Sequence, residues 1–179
     1  MSRFQPRHLS QRTNNLEIGT SRTKYIKSKE IGAAVHSYWG ASLLELCSLV
    51  ERYPSQKINT LVLVAGFNDH RALTNVFIEH WKFLIQLVVL KFNPSHLVIP
   101  KTIATSNNYA LNKKINTLNF ALYGLINSLN LPITSPNFNR DFDHKIFSRD
   151  GIHFSRFGNY IFTHILKLFM NLSTCNPKN

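Results

Sequence analysis

The stretch NTLVLVAG, residues 59–66, is a short run of apolar side chains that ends in a glycine. Apolar residues occupy both of its alternating faces, so it predicts a strand in a sheet that is covered on both sides. A second run of the same character is SHLVIP at 95–100. Weaker strand patterns lie at 15–19, 33–39 and 131–135.

Helical patterns separate these strands and predict helices over 22–30, 41–53, 72–92, 108–130 and 155–172. Strands that alternate with helices are typical of βαβ units and a parallel sheet. We therefore expect an α/β protein, a three-layer α/β/α sandwich around a five-stranded parallel sheet of flavodoxin-like type. Ligands of such sheets bind at the carboxyl ends of the strands, so the loops after the strands are the place to look for functional residues.

The chain of 179 residues is long enough for one domain with a substantial core. Its 44% hydrophobic and 17% charged residues exclude a disordered protein. We assign the domain to residues 15–172, a basic flexible tail to 1–14 and a C-terminal tail to 173–179. The longest apolar window, FLIQLVVLKF at 83–92, is too short to span a bilayer, so no transmembrane segment is expected.

The formal net charge of +12 allows two interpretations. The basic residues are spread along the chain, which indicates a solvated basic surface; alternatively, they bind nucleic acid or another anionic surface. The two cysteines, Cys47 and Cys175, form no disulfide framework, which favours an intracellular, cytoplasmic location. The histidines show no metal-ligand spacing, so neither a metal nor a cofactor is predicted.

Three groups in the predicted loops have the chemistry of ester hydrolysis. Ser21 follows the first strand in GTS and is a candidate nucleophile, while DGIH at 150–153 supplies His153 as a base and Asp150 as the group that orients it. The backbone amides of Ser21 and Gly40 and the side chain of Asn68 are candidate donors of an oxyanion hole.

Two further residues support these assignments. Gly151 allows the loop between Asp150 and His153 to turn. Trp39, which precedes Gly40 in a strand-end loop, is the aromatic residue that we expect to contact substrate.

Each of these residues also has a purely structural interpretation. A serine after a strand is more often a helix cap than a nucleophile, and Ser42 and Ser155 are better explained in that way. Asp69, beside Asn68, is explained as a turn or cap. The functional interpretation of Ser21 therefore depends on the presence of the motifs that carry Gly40, Asn68 and His153.

The four blocks resemble the SGNH (GDSL-type) hydrolases, a family named for Ser, Gly, Asn and His in separated motifs. The matching residues are Ser21 in IGTS, Gly40 in YWGAS, Asn68 in GFND and His153 in DGIHFS, in the family's order. The resemblance covers residues 15–170 and implies a Ser21, His153 and Asp150 triad with an oxyanion hole from Ser21, Gly40 and Asn68. One position departs from the family, since Thr20 stands where Gly-Asp-Ser has its aspartate.

These observations predict a serine esterase or acylhydrolase that cleaves an acyl ester and needs no cofactor. The alternative is a catalytically weakened module of the same fold that binds nucleic acid or anionic lipid through its basic surface. The two differ in whether Ser21 is required for activity.

Overall fold

A five-stranded, entirely parallel sheet forms the centre of the protein in the computed structural model, which describes residues 7–10, 13–140 and 144–172. Its strands are β1 (Asn15–Gly19), β2 (Ala34–Ser37), β3 (Thr60–Val64), β4 (His96–Val98) and β5 (Ile133–Thr134). They lie in the order β2-β1-β3-β4-β5. This is the flavodoxin-like order, and the predicted five-stranded parallel sheet is confirmed.

Helices cover both faces of the sheet. They are α1 (Ser28–Ile31), α2 (Leu43–Glu51), α3 (Thr74–Phe92), α4 (Tyr109–Ser128) and α5 (Arg156–Leu172). One apolar cluster joins the sheet to α2, α3 and α4, and a second joins its other face to α1 and α5. The predicted three-layer α/β/α sandwich is therefore confirmed.

The strand β3 shows why its sequence is apolar throughout. Leu61 and Leu63 pack into the cluster with α2, α3 and α4, whereas Val62 and Val64 pack into the cluster with α1 and α5. Each buried side chain of this size contributes roughly 1.5–3 kcal/mol through removal of apolar surface from water. The same strand therefore holds both layers of helices to the sheet.

The strand β1 departs from this pattern at one position. Leu16 and Ile18 lie in the first apolar cluster, but Glu17 points to the opposite face and is completely buried. Burial raises the pKa of the Glu17 carboxyl well above its ordinary value, because the charged form loses its hydration. Burial therefore favours the neutral form of this carboxyl more strongly than in an exposed glutamate.

The predicted helix over 22–30 is wrong as a continuous element. The chain forms a short 3₁₀ turn at Ser21–Thr23 and then the single-turn helix α1. The hydroxyl of Thr23 donates to the carbonyl of Thr20 at 3.0 Å and lies 2.8 Å from the Ser37 hydroxyl. Such local side-chain bonding competes with a regular helix.

Part of the segment assigned to the basic tail contacts the domain. Leu9 is buried, and the backbone amide of Arg7 donates to the hydroxyls of Tyr38 and Tyr53 at 3.1 and 3.3 Å. Residues 1–6 of that tail and the C-terminal tail at 173–179 lie outside the described residues. Within the described residues, no helix combines the length and the apolar character that crossing a membrane requires.

Candidate active site

The candidate site lies at the carboxyl ends of β1 and β3, where the strand order reverses. Backbone hydrogen bonds hold the strand-end loops together here. The amide of Thr20 donates to the carbonyl of Val64 at 3.1 Å, and the amide of Tyr38 donates to the carbonyl of Gly19 at 2.7 Å. The loops that carry Ser21, Gly40 and Asn68 are therefore neighbours, as the sequence predicts.

The side chains of Asp150 and His153 form a hydrogen-bonded pair. The distance between His153 Nδ1 and Asp150 Oδ2 is 2.6 Å. The second carboxylate oxygen accepts hydrogen bonds from Ser148 Oγ at 2.8 Å and from the amides of Ile152 and His153 at 2.9 Å each. The carboxylate thus orients the imidazole, and its other contacts orient the carboxylate.

The same hydrogen bonds control the ionisation of Asp150. Slight burial raises its pKa, but the donors from His153, Ile152 and Ser148 outweigh that effect and hold the pKa of the carboxyl well below its ordinary range. Because an ionised carboxylate only accepts hydrogen bonds, His153 Nδ1 is the donor to Asp150, and in the neutral imidazole Nε2 is then the acceptor. The pair has the geometry of a general base with its orienting carboxylate.

Gly151 makes the turn that brings these two residues together. Its φ of +67° lies in the left-handed region, and a Cβ at this position would lie 2.6 Å from both Ser106 Oγ and Asn107 Oδ1. The carbonyl of Gly151 accepts a hydrogen bond from the amide of Ser106 at 2.9 Å. The turn is therefore fastened to the loop that follows β4.

Arg22 is a central residue of this region that the sequence analysis did not single out. It follows Ser21 directly, yet its side chain is buried, and Nη1 donates to the carbonyl of Ile103 at 2.6 Å. Its guanidinium carbon lies 4.3 Å from the ring centroid of Phe67 and 5.7 Å from that of Phe154. One side chain therefore joins the Ser21 loop to the residues that adjoin Asn68 and His153.

Arg22 stays positively charged although its side chain is buried. Burial lowers the pKa of the guanidinium to about 9, while the negative charge of Asp150 raises it. The group is protonated at neutral pH, so the Ser21 loop carries a buried cation that interacts electrostatically with the Asp150 carboxylate.

A cavity of about 10 Å³ adjoins Arg22 and Thr20, together with residues of the β3 and β4 loops. This volume is close to the space that one water molecule needs. Arg22 Nε is buried and has no hydrogen-bond partner among the described residues. Thr20, at the family's aspartate position, therefore lines the same small cavity as Arg22, whose Nε has no partner among the described residues.

The Ser21 loop also faces the Asp150 and His153 loop across a pocket. Lys24 and Tyr25, which follow Ser21, line a pocket of about 250 Å³ together with Trp39, Ser148, Asp150, His153 and Phe154. Ser21 itself is 8% exposed, and no hydrogen bond joins it to His153 between these two described residues. Hydrogen bonds between a nucleophile and its base are often long without substrate and shorten when substrate binds.

The candidate oxyanion donors are held by their own loops. Gly40 has a φ of +74°, a left-handed conformation that favours glycine. The side-chain amide of Asn68 donates to the carbonyl of Ala41 at 2.8 Å, which fixes the amide beside the Gly40 loop. A primary amide has two N–H groups, so a second donor exists for a ligand.

Other polar residues of the motifs cap helices, as expected. Ser42 begins α2 in a capping box with Glu45, and Ser155 Oγ accepts from the amide of Gly158 at 3.1 Å at the start of α5. Asp69 is buried and accepts from the amide of Leu43 at 3.1 Å with both carboxylate oxygens. Asp69 thus caps α2 from a distant loop.

Within the described part of the chain, no three or more His, Cys, Asp or Glu side chains are grouped so that they could hold a metal ion. The groups present at the site are those of acid–base and nucleophilic chemistry.

No protein-family model matches the sequence, and no curated protein matches it. Solved structures match the fold. A protein from Streptococcus pneumonia named after platelet activating factor superimposes with a TM-score of 0.76 at 18% identity, over 95% of this chain and 86% of that one.

Two further solved structures are esterases or lipolytic proteins. A carbohydrate esterase of family 3 from Talaromyces cellulolyticus has a TM-score of 0.71 at 13% identity, over 89% of this chain and 98% of that one. A member of the lipolytic G-D-S-L family from Veillonella parvula has a TM-score of 0.66 at 14% identity, over 92% of this chain and 98% of that one. This chain therefore has the fold of the GDSL-type (SGNH) lipolytic hydrolases and acylhydrolases.

Proposed function

We propose that this protein is a serine esterase or acylhydrolase that cleaves an acyl ester. The observation that carries the proposal is the 2.6 Å hydrogen bond between Asp150 and His153 in a loop that faces the Ser21 loop. A carboxylate that orients an imidazole supplies the base of acyl transfer, and Ser21, in the loop across the pocket, is the proposed nucleophile. The esterases and acylhydrolases among the structural neighbours support the same reaction class.

In the first half of the reaction, the proton of the Ser21 hydroxyl moves to His153 Nε2 while Ser21 Oγ bonds to the carbonyl carbon of the ester. The carbonyl oxygen becomes an oxyanion, for which the amides of Ser21 and Gly40 and the side chain of Asn68 are the proposed donors. The bond between the carbon and the leaving alkoxide then breaks. His153 returns the proton to that oxygen, and an acyl enzyme remains.

In the second half, a water molecule gives one proton to His153 Nε2 and its oxygen bonds to the acyl carbon. Collapse of this intermediate breaks the bond to Ser21 Oγ, which takes the proton back from His153, and the acid leaves. Asp150 remains ionised throughout and stabilises the imidazolium that forms twice in each cycle.

The shape of the pocket supports small substrates. It is an open pocket of about 250 Å³, and the exposed ring of Trp39 forms part of its wall. We propose that Trp39 contacts the substrate and that the acyl group is small or displayed at a surface.

The test is the hydrolysis of 4-nitrophenyl acetate by the purified protein beside two variants. Ser21→Ala should lower kcat by roughly 10³-fold or more while the circular dichroism spectrum stays that of the wild type. Ser128→Ala is the matched control, because this exposed serine lies at the end of α4 and its hydroxyl donates to the local carbonyl of Leu125. Equal activity of the wild type and Ser21→Ala would contradict the proposal.

A second candidate function is binding of nucleic acid or anionic lipid without hydrolysis. It is supported by the net charge of +12 and by a groove of about 470 Å³ that Arg7, Lys24 and Lys27 line together. This function would be indifferent to Ser21→Ala and would weaken steeply as salt concentration rises. Absence of esterase activity in the folded wild type, together with such binding, would favour it.

A further inference from the structure

One cation and two exposed aromatic rings form a cluster beside the candidate site, which we call the cationic shelf: Lys24, Tyr25 and Trp39. The ammonium nitrogen of Lys24 lies 4.4 Å from the ring centroid of Trp39 and 5.0 Å from that of Tyr25. Trp39 is 63% exposed and Tyr25 is 60% exposed. Two large, solvent-exposed rings therefore contact the same positive charge.

The cationic shelf lines the same pocket as the catalytic candidates. Its three residues line the pocket of about 250 Å³ that also contains Asp150 and His153. In the proposed mechanism, His153 protonates the leaving oxygen, so the alcohol side of the ester lies next to the imidazole. The cationic shelf is thus placed to contact the alcohol part of the substrate.

The Lys24 ammonium contacts the two aromatic rings but no carboxylate of the described residues. Lys24 forms no ion pair within the ranges that the structure describes, whereas its neighbour Lys27 is paired with Glu30 at 3.6 Å. The carboxylate in the same pocket, Asp150, already accepts hydrogen bonds from Ser148, Ile152 and His153. The described residues Lys24 and Asp150 form no ion pair with each other, so the Lys24 ammonium can pair with an anion of a ligand.

The surroundings add to this positive potential. Arg7 and Lys27 line the adjoining groove with Lys24, and Arg156 lines a further groove together with Lys27 and one carboxylate, Glu30. A surface with several cations and few carboxylates attracts anionic ligands and raises their local concentration.

We propose, on the basis of the esterase function above, that the cationic shelf is a subsite for an anionic group on the alcohol part of the substrate. The ammonium of Lys24 pairs with a phosphate, sulfate or carboxylate group of that alcohol, and the faces of Trp39 and Tyr25 pack against its carbon skeleton. The preferred substrate is therefore an acylated acidic alcohol.

The test compares two aryl acetates that differ in charge, 4-acetoxybenzenesulfonate and the uncharged 4-acetoxybenzenesulfonamide. We expect the wild type to prefer the sulfonate by about tenfold in kcat/KM, and this preference should shrink as salt is raised. Lys24→Gln should bring the ratio of the two kcat/KM values close to one. Lys113→Gln, which removes the same charge from an exposed position on α4, is the control and should keep the wild-type ratio.

Two competitors distinguish the sources of the anion. Inhibition by glycerol phosphate assigns the subsite to a soluble anionic alcohol, and inhibition by phosphatidylglycerol vesicles assigns it to a lipid headgroup. Inhibition by neither would overturn the proposal.

The kinetic outcomes separate this inference from the proposed function. If the folded wild type hydrolyses neither ester, the esterase function fails and the subsite fails with it. If it hydrolyses both esters equally well, or if Lys113→Gln loses the preference as fully as Lys24→Gln, only the anionic subsite is overturned.

Discussion

The guanidinium carbon of Arg22 lies 4.3 Å from the ring centroid of Phe67. These residues follow Ser21 and precede Asn68 in the chain, so their contact joins the loop of the proposed nucleophile to the loop of a proposed oxyanion donor. The hydrogen bond from Arg22 to the carbonyl of Ile103, at 2.6 Å, adds the loop after β4 to the same assembly. Arg22 is therefore a positioning residue for three loops at once.

Replacing Arg22 tests this role. Arg22→Met should lower the free energy of unfolding by about 1–3 kcal/mol, because the Ile103 carbonyl loses its buried donor. It should also lower kcat by more than about tenfold in the folded fraction while KM changes little, because the loops shift relative to one another. Urea unfolding and steady-state kinetics on the same samples give both quantities.

The conservative variant separates positioning from simple stability. Arg22→Lys keeps the charge but lacks the planar fork that bonds Ile103 and stacks on Phe67, so it should recover only part of kcat. Full wild-type kcat in both variants would show that Arg22 acts on stability alone.

Thr20→Asp tests the cavity that Thr20 shares with Arg22. Aspartate is similar in size to threonine and would offer an acceptor and a negative charge to the unpartnered Arg22 Nε. We expect the variant to raise the free energy of unfolding by about 1 kcal/mol at pH 7. In an Arg22→Met background the gain should vanish, and a gain of the same size there would refute the pairing.

Asp150→Asn tests the orientation of the imidazole. Asparagine presents a donor or a neutral acceptor to His153 Nδ1, so kcat should fall by roughly 10²–10⁴-fold with little change in KM. Because its hydrogen bonds hold the pKa of Asp150 well below the ordinary range, the wild-type profile of kcat/KM between pH 4 and pH 9 should show no inflection from this carboxyl. An activity of Asp150→Asn equal to that of the wild type would remove Asp150 from the mechanism.

Glu17→Gln should stabilise the protein at neutral pH. Burial raises the pKa of Glu17, so the carboxyl ionises at a higher pH in the folded chain than in the unfolded chain, where its ordinary pKa is 4.5. The unfolded state then binds fewer protons, and the stability of the wild type falls as pH rises. Glutamine removes this dependence, so its advantage in thermal unfolding should be larger at pH 8 than at pH 5. The exposed Glu79→Gln is the control, and an advantage independent of pH would contradict the account.

The sheet and most helices were predictable because their signals are local. The run from 59 to 66 is apolar on both faces, and this alone indicates a strand covered by two layers. The interruption of the predicted helix over 22–30 could not be predicted from local signals. The bonds of Thr23 to Thr20 and Ser37 depend on a strand pair that forms only in the folded chain.

The residues of the candidate site also differ in whether a local sequence signal identifies them. Ser21, Gly40, Asn68, Asp150 and His153 stand in recognisable motifs, and the structure brings their loops to one edge of the sheet. Arg22 stands in the same motif, but an arginine in a basic chain resembles a surface charge. Its burial follows from the aromatic rings of Phe67 and Phe154, which are distant in sequence and close only in the fold.

The most direct test of the central claim is labelling of the purified protein with a fluorophosphonate probe, followed by mass spectrometry of the labelled peptide. An activated Ser21 predicts a single adduct on Ser21 in the wild type and in Ser128→Ala, and none in folded Ser21→Ala or with the folded His153→Ala variant. A folded wild type that remains unlabelled, or that is labelled at another serine, would contradict the assignment of Ser21 as the nucleophile.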